Sequence, residues 1–202
     1  MARPSAIKSG MLSFQHYTIK TFNRGAVTTA RGYIGDKPTP ITAEAKTVDD
    51  AVRLVERQLV SRDADRRASR KDGIPTAEEF ADAFAALGPK VRKHHWKMLG
   101  AHLSAPDATM TTGEIAGAAG YSGYSSANLH YAALGRLLAE HLGFDPPRDS
   151  DGSILWTATH ATGDRDGADK LNWRWTLRPE VVACLRALGV GTEPAEAKEA
   201  RD

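Results

Sequence analysis

Cysteine is nearly missing from this chain, and that shortage closes off several architectures. Cys184 is alone among 202 residues, so it cannot form an internal disulfide or supply the paired thiolates of a zinc ribbon, and a reducing compartment is expected. Long apolar runs are lacking as well. No stretch approaches the ~20 residues of a membrane span, and Arg3 and Lys8 precede no apolar export segment. A cytoplasmic chain is expected, nucleoid-associated if it meets DNA. A dominant charge is also absent: 27 Lys and Arg against 25 Asp and Glu leave a formal net charge of +2, too even to announce a nucleic-acid partner, so local clustering must decide. No phosphate loop, metal-ligand cluster or nucleophile–base pair is legible, so neither an enzyme nor a cofactor is expected.

What is present is 41% hydrophobic residues, enough to bury the cores of two modules. The fold class expected is α+β: a small amino-terminal βββα module over 1–60, a basic linker over 61–75, a winged helix-turn-helix domain over 76–190 and a disordered tail over 191–202. In the first module the run 13–22 partly alternates and is rich in aromatic and β-branched residues, and Asn23-Arg24-Gly25 supplies a turn. The return strand would be 26–34, with a third short strand at 41–46. Thr47 and Asp50 resemble a capping box ahead of Val48, Ala51, Val52, Val55 and Leu59 at helical spacing. A module this small needs support, and association into a homodimer or tetramer is expected of it. The arginine-dense stretch 61–73 lacks apolar periodicity and reads as a linker or an exposed helix extension, either solvated or touching phosphate.

In the second module Thr76 opens a helix with Phe80, Phe84 and Leu87 on one side, and a helix over 90–103 turns Val91, Trp96, Leu99 and Leu103 inward. The neighbouring His94 and His95 should diverge on a helix, so they are not read as a metal clamp. The centre of the module is 111–143. Thr112 is expected to cap a short helix that Gly120 stops, and Ser125 or Ser126 to cap a longer one ending near Gly143. At about 100° per residue, Ala127, Tyr131, Leu134, Leu138 and Leu142 form the core stripe. Leu129, Ala132, Ala133, Arg136 and Glu140 lie opposite, with Asn128 on the flank. A face of small side chains with one amide and one guanidinium suits a major groove, although the same alanines and leucine could pack against a neighbour. Downstream, 154–160 and 171–177 read as paired strands around the polar loop 161–170. Asp164, Asp166 and Asp169 lack the spacing of a calcium loop. Trp173 and Trp175 share one strand face and Arg174 takes the other. Pro179 begins a last helix.

The string 120–131, GYSGYSSANLHY, continued by Leu134-Gly135-Arg136-Leu137-Leu138, resembles the winged-helix domain of actinomycete 5-methylcytosine-binding proteins. That module also occurs fused to nucleases in McrA-type modification-dependent restriction enzymes. The resemblance covers roughly the second half of the chain, through 173–180. It implies a non-enzymatic reader of methylated cytosine in double-stranded DNA with little sequence preference, often multimeric. Paired cysteines and a histidine constellation of the HNH type are absent, so cleavage is not expected. The DNA-contacting set is then Tyr124, Ser125, Ser126, Asn128, Leu129, Ala132, Ala133 and Arg136, joined by Arg165, Lys170, Trp173 and Arg174 near the wing. The methyl could be met in the groove by the Leu129, Ala132 and Ala133 face. Alternatively, the base could flip into a pocket walled by Tyr124, Trp156 or Trp173. An ordinary sequence-specific winged-helix regulator and a protein-interaction module without DNA binding remain as alternatives.

Overall fold

The computed structural model describes residues 10–164 and 173–191, and the chain divides into two compact units, one of 1–75 with 82–88 and one of 76–81 with 89–202. It is a mixed α+β chain: a four-stranded antiparallel sheet, then helices and a small second sheet. Among the described residues no helix is long and apolar enough to cross a membrane.

The first unit is an antiparallel meander, β1 (Met11–Phe14), β2 (Tyr17–Arg24), β3 (Val27–Ile34) and β4 (Lys37–Ala45), in that spatial order, followed by α1 (Val48–Ala68). Four strands stand where three were expected. The run 13–22 is broken by a turn at Gln15-His16, where Gln15 holds φ 52°, and a turn without Gly, Asn or Pro gives little sequence signal. The last strand starts at Lys37 rather than at 41 because Pro38 and Pro40 sit on the edge strand, where a missing N–H breaks no interior ladder. Thr47 caps α1 as expected, accepting from Asp50 N–H at 3.1 Å. Ala51, Val52, Val55 and Leu59 are buried with Tyr17, Ile19, Ala30 and Ile34 in one core.

Of the two readings of the arginine-dense stretch, linker or helix extension, the structure shows the second over most of its length, with α1 running on to Ala68. Its arginines have a structural use that periodicity cannot reveal. Arg62 and Arg66 donate to the Asp82 carboxylate at 3.2 and 2.8 Å, and Arg62 also donates to Tyr17 Oη at 2.8 Å. Asp82 comes from α2 (Ala77–Leu87).

The second unit continues from the first turn of α2 through α3 (Lys93–Ser104), β5 (Thr109–Thr111), α4 (Thr112–Ala119) and α5 (Tyr124–Leu142). A single 3-10 turn at Trp156–Thr159 leads into β6 (Ala161–Asp164), then come β7 (Arg174–Leu177) and α6 (Pro179–Ala187). β7 lies between β5 and β6, antiparallel to both. Here 156–159, expected within a strand, is the 3-10 turn, and the strand begins in what read as loop. Trp96 is only part-buried, while Met98, Leu99 and His102 face inward from α3. The α4 cap is Thr111, one residue before the one expected: Glu114 N–H donates to Thr111 Oγ1 at 3.2 Å and Thr111 N–H to Glu114 Oε2 at 2.7 Å. α4 ends at left-handed Gly120, where Tyr121 N–H returns to Ala116 O at 3.0 Å. α5 is preceded by Gly123 with no side-chain cap, so neither Ser125 nor Ser126 performs that role.

Candidate nucleic-acid interface

The α5 core stripe is as the spacing predicts: Ala127, Tyr131, Leu134, Leu138 and Leu142 are all buried. Its anchor is polar. His102 on α3 shares a 2.7 Å hydrogen bond with Tyr131 Oη and another of 2.7 Å with Trp175 O on β7. The His160 and Tyr131 rings meet nearly perpendicular, at a centroid distance of 4.3 Å. Burial holds the His102 and His160 rings below the ordinary histidine range, His160 at about 3, and pushes the Tyr131 phenol up. Neutral rings thus tie α5 to α3 and β7 and fix which α5 residues face outward.

Those outward residues form a ridge with a pocket on each side. Ser125, Leu129, Arg136 and Glu140 make the exposed ridge, Leu129 being 69% exposed. Arg136 Nε lies 3.7 Å from Glu140 Oε1 with both side chains largely in solvent. On one flank Asn128 and Ala132, four apart, line a pocket of about 210 Å³ with Thr112, Leu155, Trp156, Thr157, Trp173 and Trp175. On the other flank His130, Ala133 and Leu137 line a more open one of about 520 Å³ with Pro89, Lys90, Arg92, His94 and His95. Ala132 and Ala133, grouped on one face by the sequence, therefore serve different pockets, since 100° of helix rotation separates them.

The first pocket is built by close approach. Two glycines make room for it. An added Cβ on Gly135 of α5 would overlap Trp156 O and lie 2.6 Å from Trp156 C and 3.2 Å from Thr157 N. One on Gly163 of β6 would overlap the Trp173 indole nitrogen and lie 2.9 Å from Trp175 Cζ3. These two gaps let the 3-10 turn rest on α5 and the stacked Trp173 and Trp175 rings, 5.2 Å apart and inclined 12°, rest on β6. Thr112 N–H donates to Trp173 O at 3.1 Å, joining the α4 start to the strand that carries the indoles. Trp156, Trp173 and Trp175 thus wall one apolar pocket with Asn128 at its mouth.

The other expected contact residues divide simply. Ser126 and Arg174 are exposed. Tyr124 opens α5, but its side chain lies outside the described structure, as do Arg165 and Lys170, expected near a wing, and Asp166 and Asp169 of the same loop.

The second pocket overturns the reading of His94 and His95 as divergent. Their rings are 4.2 Å apart, and His130 of α5 lies 4.5 Å from His94. One ring nitrogen from each of the three falls within 4.8 Å of the others. The reason is local: His95 sits in the first turn of α3 and folds back so that its Nδ1 accepts from Arg92 N–H at 3.1 Å. Burial holds His94 and His95 below the ordinary histidine range, His95 at about 4, with smaller contributions from neighbouring rings and Arg92. Tyr121 stacks on His130 at 5.2 Å and 16°.

Compared with family models, with curated proteins and with solved structures, the chain matches none.

Proposed function

We propose that 76–190 is a winged helix whose recognition helix is α5, and that it reads 5-methylcytosine in double-stranded DNA by taking the base into the tryptophan pocket. The strand, helix, helix, strand, strand order with β7 central supports the winged-helix reading. The observation that carries the function is the pocket itself, bordering the exposed ridge of α5 and walled by three indoles, with Asn128 and two threonines as polar groups. At about 210 Å³ it is smaller than the roughly 300–1,000 Å³ of drug-sized sites and suits one small planar ring. Indoles stack a flipped base, amide and hydroxyl groups bond to its edge, and Ala132, Ile154 and Leu155 offer the methyl an apolar surface.

The gain from the methyl follows from its size. Burying one such group is worth about 0.8 kcal/mol, roughly a fourfold preference, before any shape selection. Gel shifts of one duplex with and without 5-methylcytosine at two salt concentrations test this. Expected are tighter binding of the methylated duplex by roughly fourfold or more and affinity that falls steeply with salt. Ala132→Phe, which fills the pocket, should remove the preference while leaving salt-dependent binding. Equal affinity for the two duplexes would sink the reading. Strong sequence preference without regard to methylation would favour an ordinary regulator, and no DNA binding at all an interaction module. Homo-oligomerisation belongs to the same proposal: Met11, Phe22 and Val27 expose apolar side chains on the first unit, and light scattering of the full chain should return a dimer or tetramer.

A further inference from the structure

The second pocket is not used by the methyl-reading proposal, and its chemistry is different. From the convergence of three imidazoles on an open cavity we infer that His94, His95 and His130 bind a divalent transition-metal ion of the zinc class. The residues offer one nitrogen each within 4.8 Å. A tetrahedral ion with Zn–N of about 2.0–2.1 Å needs nitrogens roughly 3.4 Å apart, so the rings must close by a little over ~1 Å. His94 and His130 are half-buried side chains with the freedom to do so by small rotations within their rotamer wells.

A second observation points the same way. The Nε2 atom of His94 is buried without a hydrogen-bond partner among the described residues, and buried polar atoms in native proteins are normally satisfied. An ion supplies that missing partner. Imidazole ligates such an ion in its neutral form, through a ring nitrogen that carries no proton. Three imidazoles suit zinc, copper or nickel rather than calcium or magnesium, which require oxygen ligands.

Two features define how the site works. In the ion-free site His95 Nδ1 accepts from Arg92 N–H, which places the ring proton on Nε2. Capture through Nε2 moves that proton to Nδ1 and breaks the hydrogen bond, so the Arg92 amide reports occupancy. The fourth position faces a cavity of about 520 Å³ bordered by Lys90 and Arg92, whose cations favour hydroxide or another anion there. His130 belongs to α5 and His94 and His95 to α3, so an ion would cross-link the two helices at the outer margin of α5.

The test is zinc titration of the chelator-treated full chain by calorimetry, with cobalt(II) absorption to report tetrahedral coordination. Expected are one ion per chain, a shifted Arg92 amide resonance, and His94→Ala and His130→Ala variants that each weaken binding. The loss should exceed the roughly 10–100-fold typical of removing a merely supporting outer group. His141→Ala, on the same helix but outside the cluster, should bind like the parent, and circular dichroism checks that each variant is folded. No saturable uptake, or uptake unchanged in folded His94→Ala and His130→Ala, overturns the inference whether or not the chain binds DNA.

Discussion

Replacing Gly135 by alanine sets two known effects against each other, and the structure decides the sign. In an exposed helix interior the change should stabilise by about 1 kcal/mol, because alanine surpasses glycine by that much in helix propensity. At Gly135, however, the added Cβ would overlap Trp156 O and approach Trp156 C to 2.6 Å. Carbon atoms rest at about 3.5–4.0 Å, so the 3-10 turn must retreat by roughly 1 Å. The obstruction is backbone, which cannot rotate aside. Overpacking of this kind costs about 1–3 kcal/mol or more, and with the upper end applying here the net expectation is destabilisation of roughly 2 kcal/mol. Gly117 on α4 is the matched control: nothing lies within 4 Å of its added Cβ, so Gly117→Ala should stabilise by about 0.5–1 kcal/mol. Urea unfolding followed by tryptophan fluorescence reads the second unit alone, since Trp96, Trp156, Trp173 and Trp175 all lie within it. A Gly135→Ala protein as stable as the parent would refute the close approach of turn and helix, and with it the pocket wall. A destabilised variant should also lose its methyl preference in the gel shift, because Trp156 and Thr157 line the pocket.

Acid stability gives another test. Burial, with smaller contributions from His102 and Arg178, holds His160 at about 3 against an ordinary 6.5. Above pH 6.5 the ring is neutral folded or unfolded; between 6.5 and about 3 only the unfolded chain takes up the proton, so stability falls as pH falls through that window. The full effect is on the order of 5 kcal/mol, and His160→Phe should flatten the decline in urea midpoints measured between pH 7 and about 4. In the first unit, Asp82→Ala leaves the buried ends of Arg62 and Arg66 without their shared carboxylate and should cost roughly 3 kcal/mol. Hydrogen exchange in the α1 amides would register it as lost protection, and unchanged protection would show the arginines satisfied by solvent.

Much of the chain was legible from local signals. Thr47 ahead of an apolar stripe, Gly120 and Gly143 after helices, and Pro179 at a first turn act through their own backbone neighbours, so the sequence by itself determined where α1 and α6 begin and where α4 and α5 stop. The α5 stripe was equally local, because one helix period sorts Tyr131, Leu134, Leu138 and Leu142 inward whatever they pack against. What only the tertiary structure decided depends on distant partners. The run 154–160 has strand-like residues, yet Gly135 opens a gap on α5 into which 156–159 folds as a 3-10 turn. Arg62 and Arg66 read as solvated until Asp82 arrives beside them. Ala132 and Ala133 part company because the indoles come from one side of α5 and the α3 histidines from the other. His94 and His95 diverge in an ideal helix, but a first-turn hydrogen bond folds one back and α5 brings His130 to meet them. Periodicity assigns a residue to a face; which pocket that face borders is set by elements dozens of residues away, and no local pattern encodes their arrival.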